Sequence, residues 1–228
     1  MALDVGEYGP LIRGAARGRT GFAGYMDFVH GWQVRGHQRA WVEALEALVK
    51  EPVCWGHETK ECFVCRVHAE RRLLIVAFPG SGKTDTLCEF VPWAIGLDPE
   101  SAAFGFFSYN DNIATERSMA VRDVVWSGEP SEQNERYFLV FPHLKPAKDR
   151  PWSQERWFLK RKDKGRKDPT LVAAGMTGSV NARRINGMVL DDPHNWENSR
   201  TDYMRMMVRQ SYNTTARSRL TADGWQVC

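Results

Sequence analysis

A glycine-rich turn ending in lysine and threonine, AFPGSGKT (Ala77–Thr84), is built to hold phosphate. It follows the pattern G-x-x-x-x-G-K-[ST], with Ala77 in place of the first glycine. Across Pro79, Gly80, Ser81 and Gly82 the two glycines let the backbone fold tightly, so that its N–H groups face phosphate oxygens. A helix opening at Lys83, Thr84 and Asp85 adds the positive end of its dipole. Lys83 would reach the β- and γ-phosphates, and the Thr84 hydroxyl would bind Mg²⁺.

Such a loop needs a second acid for the metal, at the end of another apolar strand. The segment GMVLDDPHNW (Gly187–Trp196) supplies one: three apolar residues lead into Asp191 and Asp192, and Pro193 stops the strand. Side chains alternate along a strand, so the two acids are expected to point in different directions. Asp191 fits the metal. Hydrolysis also needs a group that activates water. Asp192 is next in the chain, and Glu197 lies five residues beyond it. Both remain candidates.

The elements that must position these residues alternate between strand and helix. RLLIVAF before the loop reads as a buried strand, and AAFGFFSY (Ala102–Tyr109) as a second. RWFLKR and PTLVAAG read as two more, joined by the basic turn KDKGRKD, and GMVL as another. One helix is expected over Gly36–Lys50. Another starts at Asp85 and is ended or kinked by Pro92. A third follows Asn110 or Asp111 as cap, and a fourth fills much of 198–217. Residues 127–150 read as irregular, and GWQVC as the beginning of a further strand. The alternation predicts an α/β fold with a mostly parallel central sheet flanked by helices.

The whole chain agrees with a folded domain. Its 228 residues are 43% hydrophobic and 11% aromatic, enough to build a core. Gly and Arg crowd residues 1–20, which read as a flexible arm; 1–35 is taken as arm and lead-in, and 36–228 as the domain. No secretory signal or membrane span is present, so a soluble protein is expected. Net charge is only +3, but Arg150–Lys167 holds eight bases and two acids, with Trp152, Trp157 and Phe158 interleaved. Lys160, Arg161, Lys162, Lys164, Arg166 and Lys167 would either track a DNA backbone or form a solvated turn. Three of five cysteines fall in an irregular insert over 51–70. Cys54, His57, Cys62 and Cys65 have a spacing that could hold a structural Zn²⁺; free thiols are the alternative.

Four stretches in this order carry a family likeness: FPGSGKTDTLCEFVPWAIGLDPE, FFSYNDNIATERSMAVRDVV, WSQERWFLKRK through GMVLDDP, and SYNTTARSRL. From about Gly36 onward the chain resembles the ATPase domain of the large terminase subunit of tailed bacteriophages. The resemblance implies a phosphate-loop (RecA/ASCE-like) nucleotidase that hydrolyses ATP–Mg²⁺ to drive double-stranded DNA into a prohead. It further implies a homo-oligomeric ring on the portal, a small terminase subunit as partner, and action in the host-cell cytoplasm. By it Asp191 is the magnesium-side acid, and Asp192 stands where many ATPases have a longer glutamate. Gln38, after His37, falls where the family recognises adenine. The family's loop arginine is missing from Phe78-Pro79-Gly80, so Arg183, Arg184 or a neighbouring subunit would supply that charge. The family's coupling motif and RNase H-like nuclease domain would lie beyond Cys228, so no nuclease chemistry is expected from this chain. Two other classes stay open: a helicase-like phosphate-loop enzyme, and a module that binds nucleotide or DNA without turnover.

Overall fold

The computed structural model describes residues 5–50, 62–126, 128, 131–178 and 183–228. Six strands form one sheet: β1 (Arg72–Leu73), β2 (Phe104–Ser108), β3 (Arg156–Trp157), β4 (Leu171–Gly175), β5 (Ile185–Leu190) and β6 (Leu220–Val227). Their order is β1-β6-β5-β2-β4-β3, parallel throughout except for the β3–β4 pair. Every residue of β2 is buried, as a central strand covered on both faces requires. The architecture is therefore α/β with a mostly parallel sheet, compatible with a phosphate-loop nucleotidase.

The helices are α1 (Val5–Thr20), α2 (Phe22–His30), α3 (Arg39–Val49), α4 (Phe63–Glu70), α5 (Lys83–Leu97), α6 (Asp111–Val125), α7 (Glu132–Val140), α8 (Trp196–Ser199) and α9 (Asp202–Ser211). The larger core joins one sheet face, with Phe104, Phe106, Val189 and Trp225, to Leu45 of α3, Phe90 and Trp93 of α5, and Val121 of α6. On the other face Phe107, Met188 and Leu190 pack with Val208 of α9 and Ala216. No helix among the described residues is long and apolar enough to cross a membrane.

Several local expectations are corrected. The expected flexible arm over 1–20 is helical from Val5. Its glycines serve close packing: a Cβ at Gly14 would lie 2.3 Å from the Phe28 ring. α2 places Phe22, Tyr25, Met26 and Val29 in the core. Within the 51–70 insert, Phe63–Glu70 is helical. Within 127–150, expected to be irregular, Ser131 caps α7, accepting from Asn134 N at 3.2 Å. The stretch RLLIVAF is buried on one face only, since Leu74 and Val76 are 69% and 83% exposed. Pro92 does not end its helix; α5 runs through it to Leu97. The helix expected over 198–217 is broken into α8, α9 and a π turn at Tyr212–Ala216.

Candidate nucleotide site

The carboxyl ends of β1 and β5 face the same side of the sheet, where parallel α/β sheets gather their ligands. After β1 the chain turns through Gly80 and Gly82, both in the left-handed region (φ 79° and 80°), and enters α5 at Lys83. A cavity of about 280 Å³ is lined by Ala77–Asp85 and Asp192.

The two acids converge. Asp191 is 2% exposed, and its backbone N–H donates to Phe107 O at 2.8 Å, keeping it in the sheet. The next residue, Asp192, takes φ 45°, a left-handed turn that aspartate tolerates better than most residues. That turn overrides the alternation expected of a strand. The Lys83 ammonium lies 3.7 Å from Asp191 Oδ1 and hydrogen-bonds Asp192 Oδ1. The Thr84 hydroxyl donates to Asp191 Oδ1 at 3.1 Å.

Burial separates the acids in character. It raises the Asp191 carboxyl above its ordinary range, opposed by the Thr84 hydrogen bond and, more weakly, by Lys83 and Arg117. Asp192, with a side chain 62% exposed, is open to water. Thr84 and Asp191 present hard oxygens side by side, a donor pair that suits Mg²⁺ and leaves its other positions to water and phosphate.

On the far side of the loop a cavity of about 710 Å³ is lined by Trp32, Arg35, Gln38, Gly80–Gly82, Asp85 and Thr86. Gln38 sits at the seam. Its Nε2 donates to Ser81 O at 3.1 Å, and its Oε1 accepts from Arg35 N at 3.1 Å. His37 Nε2 lies 3.1 Å from the same Ser81 carbonyl, which can only accept, so this nitrogen donates. Gln38 thus ties the wall of the larger cavity to the phosphate loop.

The other candidate residues lie elsewhere. Glu197 is exposed on α8 and does not line the loop cavity. Arg183 and Arg184 precede β5, whereas the acids follow it; six residues of strand put about 20 Å between them. Neither arginine can reach the loop of its own chain. Arg161 and Arg166 hold backbone carbonyls, while Lys160, Lys162, Lys164 and Lys167 are exposed. Of the four zinc candidates, Cys54 and His57 lie outside the described residues. Among the described residues no group of three or more His, Cys, Asp or Glu is placed to hold a metal ion. His68 Nδ1 is hydrogen-bonded to Ala47 O at 2.8 Å.

Two site residues escaped the sequence reading. Arg117 on α6 brings its charge to bear on Asp191 and Cys88, and its Nε is buried without a hydrogen-bond partner among the described residues. Its signal was an arginine four residues from both Ile113 and Val121, on the face read as apolar. Cys228 follows β6, and its thiol is raised by burial, with Lys83 opposing. It left no motif to find.

No protein-family model matches the chain, and no curated protein is similar to it at a significant level.

Proposed function

We propose that this chain binds ATP–Mg²⁺ at the phosphate loop and hydrolyses it, as the ATPase of a phage DNA-packaging motor. The observation that carries the hydrolytic reading is the convergence of Asp191 and Asp192 on Lys83, beside a Thr84–Asp191 oxygen pair. The motor reading rests on the resemblance of four ordered stretches to large terminase ATPase domains, and duplex DNA, a portal ring and a small subunit come with it.

Lys83 binds phosphate oxygens, which draws its ammonium away from Asp192. Mg²⁺ on Thr84 and Asp191 would neutralise charge on the β- and γ-phosphates. Asp192 then has a free oxygen facing water. Water attacks the γ-phosphorus, its proton passes to Asp192, and the bond to the β-phosphate bridging oxygen breaks. Gln38, which lines the larger cavity and bonds Ser81, would meet the adenine base there.

The test is phosphate release by the full chain, with and without duplex DNA. Release that rises with DNA and is abolished in Lys83→Ala supports the reading. Full activity in Lys83→Ala removes the site, and release that ignores duplex DNA removes the motor.

A further inference from the structure

Away from the phosphate loop a second cleft, of about 850 Å³, opens between residues 145–150 and 158–166. Its walls are stitched together by backbone: Lys160 N donates to Lys145 O at 2.7 Å, and Ala147 N to Phe158 O at 2.9 Å. One wall carries Lys145, Lys148 and Arg150. The segment paired with it carries Lys160, Arg161, Lys164 and Arg166. Among the described lining residues, Asp149 and Asp163 oppose them.

These bases are held in place mainly by backbone rather than by carboxylates. Among the described residues none of the seven takes part in a salt bridge. The arginines are held by carbonyls instead: Arg150 Nη2 donates to Lys164 O (3.2 Å), Arg161 Nη1 to Asp168 O (2.7 Å) and Arg166 Nη1 to Glu100 O (2.6 Å). A carbonyl fixes a guanidinium in place and leaves its net charge uncancelled. Arg161 Nε is buried with no hydrogen-bond partner among the described residues. Burial first, and then the charge of Arg166, pull the Arg161 guanidinium down to about 10, with Asp168 and Glu100 opposing. Cations crowded in this way favour an anion between them.

The floor is apolar. Phe158 and Leu159 are 5% and 3% exposed, the Arg150 guanidinium lies 5.3 Å from the Phe158 ring centre, and Trp126 at the rim is 36% exposed. Paired basic walls suit phosphates, and an indole at the rim suits a base. The volume, about 850 Å³, is that of a small-ligand pocket and matches one nucleotide unit.

We propose that this cleft binds the phosphates of a nucleotide unit, presented by a free nucleoside polyphosphate or by the phosphorylated end of a nucleic-acid strand. The inference is independent of the phosphate loop. It is tested on the full chain carrying Lys83→Ala, which silences turnover. ATP is titrated against tryptophan fluorescence, and a labelled 5′-phosphorylated single-stranded oligonucleotide against anisotropy, with a blunt duplex as competitor. At least one of the two ligands should bind. Affinity should fall at least ten-fold in Lys145→Glu/Lys160→Glu, two exposed positions whose folding is checked by circular dichroism. Trp126→Phe should remove the fluorescence response. Binding of ATP alone assigns a free nucleotide. Preference for a 5′-phosphate over a 5′-hydroxyl assigns a strand end. If charge reversal perturbs folding, Lys145→Gln/Lys160→Gln must still weaken binding. No binding of either ligand, binding unchanged by these variants, or a duplex competing as well as the single strand would each overturn the proposal.

Discussion

Asp191 and Asp192 face the same ammonium group, although neighbours on a strand should point apart. The left-handed turn at Asp192 (φ 45°) brings both carboxylates to Lys83, one buried and one exposed. That division gives each acid a distinct environment, and hence a distinct chemistry.

The exposed acid carries the first prediction. Asp192→Asn should keep nucleotide binding and lower phosphate release about a hundred-fold or more, the usual scale for losing a general base. Glu197→Gln should stay near wild type, because Glu197 lies outside the loop cavity. Single-turnover kinetics on both variants decide it, and a large loss only in Glu197→Gln would move the role to α8.

The buried acid behaves differently. Burial raises the Asp191 carboxyl, so the folded state holds its proton more tightly than the unfolded chain does. Stability therefore falls as pH rises from the ordinary aspartate range through that raised value, and stays lower at neutral pH. Asp191→Asn removes this penalty while leaving an oxygen for the Thr84 hydroxyl. Without metal its melting temperature at neutral pH should match or exceed wild type, and the gap should close in acid. Mg²⁺-dependent nucleotide binding should be lost. Thermal melts against pH, with and without Mg²⁺ and nucleotide, separate the two effects.

Gly82 links the loop to Gln38. A Cβ there would sit 2.8 Å from Gln38 Nε2, on a backbone at φ 80°. Gly82→Ala should destabilise the chain by about 1 kcal/mol through backbone strain. It should also weaken nucleotide binding more than Gln38→Ala does, since it displaces both the glutamine and the loop. Calorimetric titration of the two variants tests the order.

His30 and Glu89 form a buried pair at 2.5 Å, with side chains 3% and 8% exposed. Leaving a buried polar group without its partner typically costs about 1–3 kcal/mol. His30→Ala should shift the urea midpoint strongly with little change in slope. It should also loosen Gly31 and Trp32, which line the larger cavity.

What was legible in the sequence was what is local. The turn into α5, a helix cap at Asn110 or Asp111 and the acid strand each depend on a handful of adjacent residues, and the structure has each element, with Asn110 as the cap. Arg117 was not found, because spacing places it on the apolar face of α6 but does not show that α6, packed on β2 and β4, brings its charge to Asp191. The helix α7 was hidden by its polarity: Glu132, Gln133, Asn134, Glu135 and Arg136 precede its buried Tyr137 and Val140. The N-terminal glycines were read as freedom, whereas Gly14 is a contact surface for Phe28. For Arg117 and Gly14 the deciding partner lies on another element.

The strand that feeds the phosphate loop has β6 as its sheet neighbour, through Gln226 N to Arg71 O, Cys228 N to Leu73 O and Ile75 N to Cys228 O. More than a hundred residues separate the two partners. During vectorial synthesis every motif residue, from Lys83 to Asp192, leaves the ribosome before β6 exists. The loop can acquire its fixed shape only when β6 closes the gap between β1 and β5. Nucleotide affinity should therefore be among the last properties to develop during refolding, and a chain cut before Leu220 should carry the whole signature yet fail to hold a nucleotide.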